Sequence, residues 1–175
     1  DVTQEDQVKR VVERTISEFG KIDILVNNAG AIAGKPIVAI PGTKVQGLPG
    51  TQATEDTLTL EDWHRIMETN LTSVFLFAQA VGPHMMKQRK GKVINISSTN
   101  SLKGTPGVAA YSASKGGLNV FTRCLASEWA PFNINVNAIA PGTINAGMTA
   151  PFLKDPEGLK LCRDLPSPCP ACGSK

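Results

Sequence analysis

Tyrosine occurs once in this chain, at Tyr111, and histidine only twice. No apolar run approaches the ~20 residues that a membrane-spanning helix requires. No leader-type segment opens the sequence. These absences argue for a cytoplasmic protein without a membrane partner. Charge of one sign is not in excess: 18 Lys+Arg against 15 Asp+Glu give a net +3. The one basic cluster, Lys87, Arg89, Lys90 and Lys92, reads as a helix C-terminus complementing its dipole, so no nucleic-acid partner is expected. The four cysteines are Cys124, Cys162, Cys169 and Cys172. Cys169 and Cys172 form a single C-x-x-C with no second pair and no nearby histidine, too little for zinc, and no metal is expected. Cys124 falls within a helical pattern and is expected to be a small, at least partly buried side chain.

What is present is apolar content of 41% and charged content of 19%, which excludes disorder. A length of 175 residues allows one α/β domain with a real core. Thr3 is the expected N-cap of a first helix whose Val8, Val11, Val12, Ile16 and Phe19 share a face, and Gly20 ends it. Residues 22–26 read as a strand buried on both faces, as in a parallel sheet. Residues 31–57 are rich in Gly, Pro, Thr and Gln and read as a long binding loop or insertion. From Leu60 to Met85 an apolar stripe marks a long helix. Asn70 lies on that stripe, either as a structural asparagine with its hydrogen bonds satisfied or at a local distortion that holds a water, and Gly82-Pro83 should bend or interrupt the last turns. Gly91 closes the unit. A strand follows at residues 93–96, then a loop to Gly107, a helix from Tyr111 to about Ala130, and a third strand at 134–140. Alternation of this kind predicts a Rossmann-like parallel sheet with helices on both faces and right-handed crossovers. Residues 1–149 form the domain, and residues 150–175 read as an irregular, poorly ordered tail.

Three polar clusters fall at carboxyl ends of strands: Asn27-Asn28-Ala29-Gly30, Ser97-Ser98 and Pro141-Gly142-Thr143-Ile144. Ligands of open parallel sheets bind there. Tyr111 precedes Lys115 by four residues on one helix face, so phenol and ammonium point the same way. A cation nearby favours the phenolate over the phenol, whose ordinary pKa is ~10. The pair reads as a general acid/base for an alcohol or a carbonyl.

Taken together, these residues resemble the short-chain dehydrogenase/reductase family. The matching motifs are Asp1-Val2-Thr3, Asn27-Asn28-Ala29-Gly30, Asn70 in Glu-Thr-Asn-Leu, Ser98 in Ile-Asn-Ile-Ser-Ser, Tyr111-x-x-x-Lys115 and Pro141-Gly142. They stand in the family's order, with Ser98 thirteen positions before Tyr111. The resemblance implies an oxidoreductase using NAD or NADP on a small alcohol or carbonyl substrate. It implies Tyr111 as acid/base and Lys115 as the cation that tunes it, both of them also cofactor-binding, with Lys115 reaching the nicotinamide ribose. Ser98 is implied as hydrogen-bond donor to the substrate oxygen, and Asn70 as holder of a water. Asn27, Ala29 and Gly30 would line the adenosine side, Asp1 and Val2 would touch the adenine, and Ile144, beside Pro141 and Gly142, would meet the carboxamide. The resemblance also implies a homo-oligomer formed through the helices of Asn70 and Tyr111. Three departures qualify it. No G-x-G-x-x-G turn stands before Asn27, and the first two strands of the family pattern are missing with it. Ala146 stands where threonine is expected. Residues 160–175 do not resemble the family's last strand. The implied sequence is a fragment truncated at both ends, and a piece without turnover is the alternative reading.

Overall fold

The structure, a computed structural model, describes residues 1–39, 56–144 and 154. Among them three strands, β1 (Ile24–Asn27), β2 (Gly91–Ile96) and β3 (Ile134–Ile139), pair in the order β1-β2-β3, all parallel. The helices are α1 (Glu5–Phe19), α2 (Leu60–Met67), α3 (Ser73–Gln88) and α4 (Ala109–Trp129). This is the expected Rossmann-like alternation. Register places Leu25, Val93 and Val136 side by side. Val93 and Val136 share a buried core with Val12 of α1, Ala78, Val81 and Met85 of α3, and Leu125 and Trp129 of α4. Among the described residues the helices therefore gather on that face. On the other face Ile24 and Val26 are 57% and 53% exposed, so β1 is not buried on both faces as its apolar run suggested. An apolar strand records what a parallel sheet needs, and here nothing described covers it. No described helix is long and apolar enough to cross a membrane.

Several local expectations change. Gln4, not Thr3, is the N-cap of α1, without a side-chain cap bond. Asp1 takes both Thr3 donors, backbone N–H and hydroxyl, each at 2.9 Å, in an Asx-type turn that competes with capping. The helix from Leu60 is not continuous. Glu68–Thr72 forms a π-helical turn with buried Asn70 inside it, the distortion expected there. Pro83 does not interrupt α3, which runs on to Gln88 and ends at Arg89 in the left-handed region, φ 51°. Phe75, an apolar residue within that stretch, is 43% exposed on α3. The basic cluster splits: Lys87 lies in the last turn of α3, while Lys92 lies in β2 and donates to Asn135 Oδ1. Cys124 is exposed, not buried. It lies off the face formed by Leu118, Thr122, Leu125 and Trp129. Cys162, Cys169 and Cys172, most of the 31–57 loop and nearly all of the 150–175 tail lie outside the described residues.

Gly91 opens β2 against the end of α3. A Cβ there would lie 2.8 Å from Met85 Cγ, and Met85 is fully buried. Gly91→Ala should destabilise the fold by about 1–3 kcal/mol through overpacking, read as a lower urea midpoint at unchanged slope.

Candidate functional site

The carboxyl ends of β1 and β2 converge on the first turns of α4, and the joint is made by one amide. Asn70 Oδ1 accepts from Ala31 N at 2.7 Å, and its Nδ2 donates to Ala31 O and to Ser114 Oγ, each at 2.9 Å. Ser114 in turn donates to the Tyr111 carbonyl at 2.7 Å. Asn70 is fully buried, so these bonds satisfy a group that would otherwise be costly to hide. The segment after β1 is thus tied to the turn that carries Tyr111.

Lys115 is 4% exposed, and its ammonium donates to the Ile96 carbonyl at 2.7 Å, two residues before Ser98. Burial lowers its pKa from 10.5 to about 8, because the charged form is stripped of water. Its Nζ lies 5.9 Å from the centroid of the Tyr111 ring, within cation–π reach. Gly30 packs close by: a Cβ there would lie 3.5 Å from Asn70 Oδ1 and 3.9 Å from Lys115 Nζ. Gly30, Asn70, Tyr111 and Lys115 therefore form one cluster.

Ser98 is 8% exposed at the end of β2, and its hydroxyl accepts from Asn100 N at 3.2 Å. Among the described residues no hydrogen bond joins it to Tyr111 or Lys115. Pro141 is held beside it, since Thr99 N donates to Pro141 O at 3.0 Å. Gly142 and Ile144 follow on the exposed side, Ile144 at 56%. Asn27 faces the sheet, donating to Asn95 Oδ1 at 2.8 Å, while Ala29 is exposed. Asp1 lines a cleft of about 500 Å³ with Thr3, the outer face of α2 and Thr69, next to Asn70. Val2 is half-buried, and the cleft does not include it.

Four residues given no role by motif reading emerge here. Ser114 and Asn95 carry hydrogen bonds described above, and Lys35 and Asp62 pin the loop. Lys35 N donates to Gly107 O at 2.8 Å, and its ammonium meets Asp62 Oδ2 at 2.7 Å. The segment after Gly30 is thereby strapped to the loop that precedes α4. Asp62 also completes a capping box with Thr59 at the start of α2. Chiefly through Lys35, the carboxyl pKa of Asp62 falls from 3.8 to about 2. That depressed value means stability present above pH 4 and lost as pH falls toward 2. Asp62→Asn should lower stability at pH 7 by about 1–2 kcal/mol and remove that acid dependence, measured by urea melts from pH 2 to 7.

The family model described as short chain dehydrogenase matches residues 1–157. This chain belongs to the short chain dehydrogenase family. Its relatives in the family include a cyclopentanol dehydrogenase of Comamonas testosteroni, 40% identical over 160 residues, which are 91% of this chain and 57% of that protein. A 3-oxoacyl-acyl-carrier-protein reductase of Thermotoga maritima is 40% identical over 148 residues, 85% of this chain and 53% of that one. Among solved structures, NAD+-bound xylitol dehydrogenase aligns with a TM-score of 0.71 at 36% identity, covering 84% of this chain and 50% of that one. A gluconate 5-dehydrogenase from Burkholderia cenocepacia, in complex with NADP and tartrate, aligns at 0.77 and 32% identity, covering 92% and 56%. This family member spans about half the length of the relatives it matches.

Proposed function

We propose that this chain carries the proton-transfer half of a nicotinamide-dependent oxidoreductase acting on a small alcohol or its carbonyl. The observation that supports it most is the buried Lys115 ammonium, fixed on the Ile96 carbonyl with the Tyr111 ring 5.9 Å away. A cation held there stabilises negative charge on a phenol while α4 keeps the phenol in place. Tyr111 exchanges the proton with the substrate oxygen. Ser98 donates to that oxygen as its charge changes. Asn70, bonded to Ala31 and Ser114, ties the segment after Gly30 to the turn of Tyr111, and it is the residue that would hold a water leading to Lys115.

The group that fits is a dinucleotide, NAD or NADP. Gly30 leaves a gap beside Asn70 and Lys115 that a Cβ would fill, at the carboxyl end of a parallel strand. When bound, it supplies or accepts the hydride. Lys115 would reach its ribose, Asn27, Ala29, Gly30, Asp1 and Val2 would border its adenosine, and Pro141, Gly142 and Ile144 would border its carboxamide. Homo-oligomer formation through α3 and α4 is supported by Phe75 and Val120, which are 43% and 56% exposed on those helices. A second reading, a module that binds the dinucleotide without turnover, is favoured by one observation: the Ser98 hydroxyl is engaged by Asn100 N and, among the described residues, bonds neither Tyr111 nor Lys115.

Titration of NADH and NADPH fluorescence, followed by turnover with a panel of cyclic alcohols, polyols, sugar acids and oxoacyl esters, tests the choice. Enhanced fluorescence with turnover supports the enzyme. Binding without turnover on any of these supports the second reading, and no binding sinks both uses of the cofactor.

A further inference from the structure

We propose that Asn95 and Thr122 are positioning residues that set the register of α4 along β2, and so place Tyr111 and Lys115 opposite Ser98. Asn95 stands between Ile94 and Ile96 near the carboxyl end of β2 and is fully buried. Its Oδ1 accepts from Asn27 Nδ2 at 2.8 Å, and its Nδ2 donates to Thr122 Oγ1 at 2.9 Å. The Thr122 hydroxyl then donates to the Leu118 carbonyl at 2.7 Å. One relay therefore runs from β1 through β2 into α4. Thr122 lies two turns beyond Lys115 on the same helix face.

The next two residues, Ile96 at the end of β2 and Ser97 just after it, continue the seam. Ile96 O takes the Lys115 ammonium at 2.7 Å, and Ser97 Oγ donates to the Lys115 carbonyl at 3.3 Å. Three successive residues, Asn95, Ile96 and Ser97, bond to α4, and the next is Ser98. Beside this seam the packing of α4 on the sheet is apolar, with Val93 of β2, Val136 of β3 and Leu125 and Trp129 of α4 in one buried cluster. Apolar burial is non-directional and tolerates sliding, whereas an amide–hydroxyl bond is lost within a few tenths of an ångström and tens of degrees. A slide of one residue along the helix is about 1.5 Å. Misplacement on the order of 1 Å at a reacting centre can cost roughly a hundredfold in rate.

The inference rests on the roles proposed above for Tyr111 and Lys115, but its test needs no turnover. The chain is labelled with lysine carrying ¹³C at Cε, and the Lys115 resonance is assigned by its loss in Lys115→Arg. The native chain should show it titrating near 8. Thr122→Ser keeps the hydroxyl and should leave that titration unchanged. Thr122→Val keeps the shape, removes the hydroxyl and should displace the titration by about half a pH unit or more while thermal unfolding stays cooperative. A folded Thr122→Val that titrates as the native chain does overturns the proposal, as does Thr122→Ser behaving like Thr122→Val. If Thr122→Val does not fold, Thr122→Ala carries the same comparison. Failure of both beside a folded Thr122→Ser would assign the hydroxyl to stability alone and equally overturn it. An inactive chain with the expected titrations would sink the enzyme reading and leave the register claim standing.

Discussion

Tyr111→Phe is expected to lower kcat/KM by about 10²–10⁴-fold, whichever alcohol or carbonyl supports turnover. The replacement keeps the ring and removes only the ionisable oxygen. That oxygen makes no hydrogen bond to another described residue, so stability should change by less than about 0.5 kcal/mol. The backbone joint to Ser114 uses the Tyr111 carbonyl and survives the change. NADH or NADPH fluorescence titrations should give an unaltered Kd, because the proposed ribose contact is Lys115. Loss of turnover with retained binding is the signature of a proton-transfer group. Turnover within threefold of the native chain would mean that some other group moves the proton.

Lys115→Met should make the folded chain about 1–2 kcal/mol more stable at pH 7 and abolish turnover. The sign follows from burial. The folded pKa of Lys115 is about 8 and its ordinary value 10.5. Between those values the unfolded chain binds a proton that the folded chain has lost, so stability rises with pH through that window. Below pH 8 the full penalty of a buried ammonium applies, roughly 3 kcal/mol for a shift of this size. Methionine has similar length and no charge. It removes that penalty but forfeits the charged bond to Ile96 O, which contributes about 1–2 kcal/mol. Urea melts from pH 7 to 10.5 should show a rising native curve and a flatter, higher one for Lys115→Met. A less stable variant, or a curve that still rises equally, would show that the ammonium at this position is not strained. Stability surrendered at a working group is a common trade.

Legibility varied from element to element for physical reasons. The turn at Asn70 could be anticipated because a buried amide on an apolar stripe demands partners, but the partners, Ala31 and Ser114, lie 39 and 44 positions away. Asn95 carried a faint signal, a polar residue between Ile94 and Ile96. No spacing rule connects it to Thr122. Cys124 was misjudged because apolar context along a helix does not tell which side faces solvent. Thr3 does not cap α1 because its hydroxyl is turned to Asp1, to which it donates, while its oxygen accepts from Gln4 Nε2.

The sequence by itself determined the alternation of elements, the one tyrosine standing four residues before a lysine, and the placing of polar clusters at strand ends. All of these follow from local periodicity and from side-chain chemistry over a few residues. Only the tertiary structure decided that the Lys115 ammonium is buried on Ile96 and that Asn70 and Asn95 each join two distant segments. It alone decided that one face of the sheet gathers the described helices. Burial and hydrogen-bond geometry are properties of surfaces brought together from far apart in the chain, and no local pattern encodes which surfaces meet.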